Sequence, residues 1–225
     1  MPTTRLYLVR HGATALSAED RFSGEIGVDL SDEGRGQVER LAARVERDGL
    51  AAIYCSPMSR AVETATIIGR QCGLEVQRRD GLQEIAHGHW EGMARRDVEH
   101  QFAAEYAQWS EDPFTFAPEG GESGVAVLAR ALPALRDIVV RHAGSTVLVV
   151  SHKATIRLLI SSLLGFDARG YRDRLDQAPA CLNILDFRDP VHARLMLFND
   201  TSHYSQQTRQ ASRSLSRVWD GTEPR

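Results

Sequence analysis

"VLVVSHKATIRLL", residues 147–159, changes character at one point. The four apolar residues at 147–150 extend "STVLVVS" (145–151), a continuous run of the kind that marks a strand covered on both faces. From residue 153 the pattern becomes helical and continues through Leu164. A strand buried on both faces and running straight into a helix is the repeating unit of a parallel α/β sheet. At the junction stand His152 and Lys153, the only lysine of the chain.

Outward from this unit the chain repeats the alternation. "RLYLVR" (5–10) and "AAIYCSP" (51–57) are β-rich runs, stopped by a Gly-containing turn and by Pro57. Between them "LSDEGRGQVERLAARVERDG" (30–49) opens on Ser31, carries acids in its first turn and spaces Val38, Leu41, Ala42 and Val45 for a helix. "PMSRAVETATIIGRQC" (57–72) predicts a second helix, and "LEVQRR" (74–79) a strand. Residues 85–121 read as helices and loops over the sheet. Val125, Leu128, Leu132, Leu135, Ile138 and Val139 predict a long helix facing the core, kinked at Pro133. "CLNILDF" and "ARLMLFN" are two last strands, joined by a hairpin at "PVHA". The expected fold is a three-layer, doubly wound, mostly parallel α/β sheet with helices on both faces.

With 225 residues, 42% of them apolar, one substantial core is expected, in a single domain over 1–204 followed by a polar tail over 205–225. A formal charge of −3 offers no global field for nucleic acid or an anionic membrane, so the expected partner is a small molecule; a homodimer is left open. No apolar stretch approaches the ~20 residues of a bilayer span, and "MPTTRLYLVRHG" leaves no room for a secretory signal. Cys55, Cys72 and Cys181 suggest neither a disulfide framework nor a metal site, and a cytoplasmic location is expected.

In such a sheet, ligands gather at the carboxyl ends of the strands, where helix N-termini also favour anions. The first strand ends in Arg10-His11-Gly12, the second delivers Arg60 into the first turn of its helix, and the strand at 145–151 ends in His152-Lys153. Singly, each is an ordinary turn or surface residue. Together they crowd cations at one edge, which an oxyanion of phosphate size would relieve. A neutral imidazole can attack phosphorus without a metal or other cofactor, and fixed cations hold the non-bridging oxygens. Glu84 in "LQEIAHGHWEGM" (82–93) follows a probable strand and is suited to supply the proton that a leaving alkoxide needs.

"LVRHGAT", "SDEG", "CSPMSRAVETA", "LQEIAHGHWEG", "GGES" and "VVSHKATIRLL", in this order, resemble the histidine phosphatase superfamily, which includes phosphoglycerate mutases. The resemblance covers residues 5 to about 204 and implies a phosphoglycerate mutase-like fold. It further implies phosphorylation of His11, a phosphate held by Arg10, Arg60 and His152, and proton donation by Glu84. The chain departs from the family pattern at Ser17, where Asn is frequent, at Ser23, where Gln precedes the glycine that is Gly24 here, and at Lys153, commonly Gly. Ser17, Ser23, Gly24 and Lys153 are therefore candidate substrate-binding residues, and the Lys153 ammonium is placed to meet a second anionic group. The short stretch between Glu84 and His152 favours a phosphatase over a mutase-type phosphotransferase, the alternative. "EIAHGHWEGM" looks most like the metal-independent phosphoserine phosphatases of the superfamily, which would put His87 at the pocket mouth. The expected substrate is a small phosphomonoester metabolite, phosphoserine-like, a sugar phosphate or a relative of these.

Overall fold

A computed structural model describes residues 2–18 and 21–204, with residues 17 and 18 described through their backbone alone. Six strands form one mixed sheet in the order β3-β2-β4-β1-β5-β6. These are β1 (Thr4–Arg10), β2 (Leu50–Cys55), β3 (Val76–Arg78), β4 (Thr146–Ser151), β5 (Leu182–Phe187) and β6 (Ala193–Asp200). The first four run parallel, while β5 pairs antiparallel with both β1 and β6. The expected hairpin closes between β5 and β6, where Arg188 N–H donates to the His192 carbonyl.

Strand periodicity explains the three layers. Leu6, Leu8, Ala52, Tyr54, Val147 and Val149 point to one face, against α5 (Gly124–Arg141) and α6 (Lys153–Leu164). Their neighbours Tyr7, Val9, Ile53, Cys55, Leu148 and Val150 point to the other, against α1 (Asp32–Val45) and α2 (Ser59–Cys72). The run at 147–150 is continuous because both of its faces are covered, as the sequence predicts. Ser31 caps α1, its hydroxyl accepting from Gly34 N–H. Gly34 also lets the loop after β1 lie directly on this helix, since a Cβ there would sit 2.0 Å from the Ala13 carbonyl oxygen.

One detail of α5 differs from expectation. The buried face is Val127, Ala131, Leu135, Ile138 and Val139, whereas Val125 in the first turn is 47% exposed. The helix also continues through Pro133 as one element. Pro133 and Ala129 both face solvent, so the residue 129 carbonyl that loses its N–H partner is left on the wet side of the helix.

Residues 85–121 form a cap of loops and short helices, α3 (Arg95–Gln101) and α4 (Ala103–Glu111), around a small aromatic core of Phe22, Trp90, Tyr106 and Trp109. A last short helix, α7 (Tyr171–Arg174), precedes the segment that returns to β5. No helix among the described residues is long and apolar enough to cross a membrane. The polar tail expected over 205–225 lies outside the described residues.

Candidate active site

Register decides the centre of the site. Arg10 pairs with Ser151 across the parallel β1–β4 ladder, so the next residue of each strand, His11 and His152, meets its counterpart just beyond the sheet edge. Neighbouring strands lie roughly 4.8 Å apart, and the imidazole centroids are 5.1 Å apart with planes tilted by 55°. β1 and β4 are also where the strand order reverses direction, the place at which open α/β sheets bind ligands.

Both rings are buried. Burial, then the charges of Arg60 and Arg10, hold His11 well below the ordinary histidine range; His152 is lowered by burial, Arg60, His11 and Arg10 in that order. Both are therefore neutral near pH 7. His11 Nδ1 lies 2.8 Å from the Gly12 carbonyl oxygen. A carbonyl only accepts, so Nδ1 carries the hydrogen and Nε2 keeps its lone pair. His152 takes the other tautomer. Its Nδ1 accepts from Arg60 Nε at 3.3 Å, and its Nε2–H donates to Ser56 Oγ at 2.8 Å.

The guanidiniums are fixed by main-chain oxygens. Arg10 donates through Nη1 to the Gln177 carbonyl at 2.6 Å, and its buried Nε has no acceptor among the described residues. Arg60 donates to the Ile26 carbonyl at 2.9 Å and the Gly24 carbonyl at 2.7 Å. Gly24 is needed at that point because a Cβ would sit 2.1 Å from the Ile85 carbonyl oxygen. Its N–H donates to both carboxylate oxygens of Glu91, which also accepts from His87 N–H.

Glu84 spans the gap between the cap and α6. Oε1 accepts from the N–H groups of Ile85 and Thr155, and Oε2 from Ala154 N–H, so the carboxyl lies on the N-terminus of α6. Arg130 holds the main chain beneath it, donating to the carbonyls of Gly81, Gln83 and Glu84 while its guanidinium pairs with Glu122.

His87 is buried at the cap, its ring edge-on to Phe22 at 5.0 Å. Burial lowers it against the opposing pull of Glu91, Glu84 and Glu122. Ser23 is half-buried beside Gly24. Ser17 belongs by its backbone to a short 3-10 turn over Ala15–Ala18, and its side chain lies outside the described residues. Lys153 begins α6, and its Nζ lies 3.4 Å from Asp176 Oδ1. Thus His11, His152, Arg10, Arg60, Glu84 and Lys153 converge as the strand ends suggested. Ser56, Arg130, Glu122, Arg157 and Asp176 were missed. Arg157, four residues after Lys153, was detectable from helical spacing; Arg130 lies on α5, and Ser56, Glu122 and Asp176 stand in connecting segments, none with a local signal that ties it to the strand ends.

Two neutral imidazoles among buried guanidiniums, next to a helix-anchored carboxyl, make a cationic hollow suited to the oxygens of a phosphate ester, as in phosphatases. Residues 6–201 match the model of the histidine phosphatase superfamily, branch 1, and the chain belongs to that family. It is 36% identical to phosphoserine phosphatase 1 of Hydrogenobacter thermophilus over 72% of this chain and 77% of that protein. It is 34% identical to a glucosyl-3-phosphoglycerate phosphatase of Mycolicibacterium vanbaalenii, covering 73% of this chain and 76% of that one. Three mycobacterial relatives at 36% identity, among them the bifunctional protein Rv2228c of Mycobacterium tuberculosis, are longer, and the matched region spans 55% of their length. Among solved structures, Bacillus stearothermophilus YhfR superposes with a TM-score of 0.83 at 32% identity, over 89% of this chain and 98% of that one.

Proposed function

We propose that this phosphatase hydrolyses small phosphomonoesters without a metal, through a phosphohistidine on His11. The observation that carries the reading is the protonation pattern of the facing rings. His11 is neutral, with its hydrogen committed at Nδ1 to Gly12 and its lone pair left on Nε2.

Nε2 attacks phosphorus, a P–N bond forms and the ester P–O bond breaks. Glu84 gives its proton to the departing alkoxide. Oε2, which accepts from one main-chain N–H against two for Oε1, is the oxygen assigned to that proton. Glu84, now a carboxylate, then takes a proton from water as the water attacks phosphorus. The P–N bond breaks, inorganic phosphate leaves, and both residues return to their starting forms. Arg10, Arg60 and His152 hold the non-bridging oxygens, whose charge changes little while geometry inverts, so rigid cations suit the task. Water as acceptor, rather than a second position on the same substrate, makes the enzyme a phosphatase and not a mutase. The names of the relatives from H. thermophilus and M. vanbaalenii support phosphoserine-like or sugar-linked phosphate esters as substrates. The proposed setting is the cytoplasm, with residues 1–204 acting as one domain on a free metabolite.

Acid-quench and base-quench experiments with a phosphate-labelled aryl ester test the reading. Wild-type protein should yield an acid-labile, base-stable phosphoprotein, and His11→Ala none, with chelator present throughout. Label retained by His11→Ala, or activity abolished by EDTA, would overturn it.

A further inference from the structure

Beside the two imidazoles lies a second cluster of cations with one small anion among them. Lys153 and Arg157 stand four residues apart on α6, and so on one helix face. Both reach the same oxygen, Asp176 Oδ1, Lys153 Nζ at 3.4 Å and Arg157 Nη2 at 3.1 Å. Their exposures are opposite: the side chains of Lys153 and Arg157 are 17% and 5% exposed, that of Asp176 47%.

Surface ion pairs are exposed on both sides and worth little, while buried pairs are closed on both sides. This arrangement is neither. The cations are enclosed, and the anion that serves them stands at the rim, in reach of water. One carboxylate oxygen is shared between the two cations. The Nε of Arg157 and that of Arg10 are both buried without an acceptor among the described residues. Burial, with Arg157 and Arg10 acting in the same sense, draws the Lys153 ammonium down to about 7 against the pull of Asp176.

Its position ties the cluster to the catalytic hollow. Lys153 directly follows His152, and consecutive Cα atoms are about 3.8 Å apart. Arg10 bonds the carbonyl of Gln177, the residue after Asp176. Gln177 is itself buried and anchored, its amide donating to Asn183 at 2.9 Å, so Asp176 is presented from a fixed point.

We propose that Lys153 and Arg157 form a carboxylate subsite for the leaving group of the phosphate ester, with Asp176 as the resident anion that the substrate carboxylate replaces. This rests on the reading of the adjoining hollow as the phosphate site. The substrates selected are phosphomonoesters whose carboxylate lies two or three carbons from the ester oxygen. Exchange moves one anion out and one in, so the local charge is kept while the substrate gains two charge-assisted hydrogen bonds.

The test compares O-phosphoserine with O-phosphoethanolamine, which differ only by the carboxylate. Wild-type kcat/KM should favour phosphoserine by ~10-fold or more, the scale of one charge-assisted contact. In Lys153→Met the ratio should fall toward 1, whatever the two rates lose in common. Asp176→Asn removes the competing anion, and there the ratio should rise through a lower KM for phosphoserine. A wild-type ratio near 1, or a ratio that neither substitution moves, would overturn the subsite. Failure of the phosphohistidine reading is a separate result, seen as absence of label on wild-type protein with an aryl ester.

Discussion

Two neutral imidazoles in a buried hollow make the fold sensitive to acid, by an amount that follows from the ring count. A histidine free in the unfolded chain titrates near 6.5, whereas His152 in the folded protein is held well below that value by burial, Arg60, His11 and Arg10. Below about pH 6.5 the unfolded state binds a proton that the folded state does not. The folded pKa is depressed for a cationic acid, so the stabilisation is complete above 6.5 and is lost as pH falls. Integrating the unfolded-state titration from about pH 6.5 to about pH 5 gives a loss of about 1–2 kcal/mol for each ring that stays neutral. In His152→Gln the amide can accept from Arg60 and donate to Ser56 as the ring does, but it has no proton to take up. Urea unfolding of wild type and variant at the two pH values measures the effect. The wild type should lose about 1–2 kcal/mol more than the variant over the interval. Identical losses would show that His152 is protonated in the folded state at pH 5, and with that the picture of a neutral, desolvated pair would go.

Glu84→Gln should slow hydrolysis of alkyl phosphates by 100-fold or more and of nitrophenyl phosphate far less, since only the former need a proton on leaving, on the order of 10²–10⁴ for general acid catalysis; equal losses would remove it from that role. Gly24→Ala puts a Cβ against the Ile85 carbonyl and displaces an anchor of Arg60, so kcat/KM should drop at least ~10-fold and stability by about 1–3 kcal/mol in urea titrations. Arg130→Met strips the donor from three carbonyls around Glu84 and from Glu122; a stability loss of about 2–3 kcal/mol is expected, with kcat for alkyl esters falling more than for aryl esters. Arg157, Arg10 and Asp176 face Lys153, whose ammonium is lost as pH rises through about 7, so KM for phosphoserine should climb above that pH while KM for phosphoethanolamine changes less.

The parts of this fold that the sequence made legible are those where one residue type has one physical use. Val147 to Val150 can be apolar without interruption only when both faces of a strand are covered, and this one stretch placed β4 at the centre of the sheet. Three strand ends bearing His or Arg gave the hollow its members before any register was known. Less legible was the choice between equivalents. Val125 and Val127 are chemically the same, and a helix apolar over much of its surface does not declare which valine its first turn leaves in solvent. Contacts of Glu84 with the start of α6, and of Asp176 with Lys153 and Arg157, join segments far apart in the chain and depend on loop paths that no local pattern encodes.

That last group of contacts bears on how the site works as a whole. Arg10, Arg60, Lys153 and Arg157 all have their proton affinity pulled down, chiefly by burial, a sign that the hollow holds positive charge at a cost. Such a site is organised for an anion before the anion arrives, and the penalty is met by the remainder of the fold. Phosphate bound there returns part of that stability, by about 2.7 kcal/mol at one hundred times its dissociation constant. The same field would retain inorganic phosphate after hydrolysis and slow turnover. An acceptor-poor guanidinium such as Arg10 strengthens that hold, while a resident carboxylate at the rim weakens it.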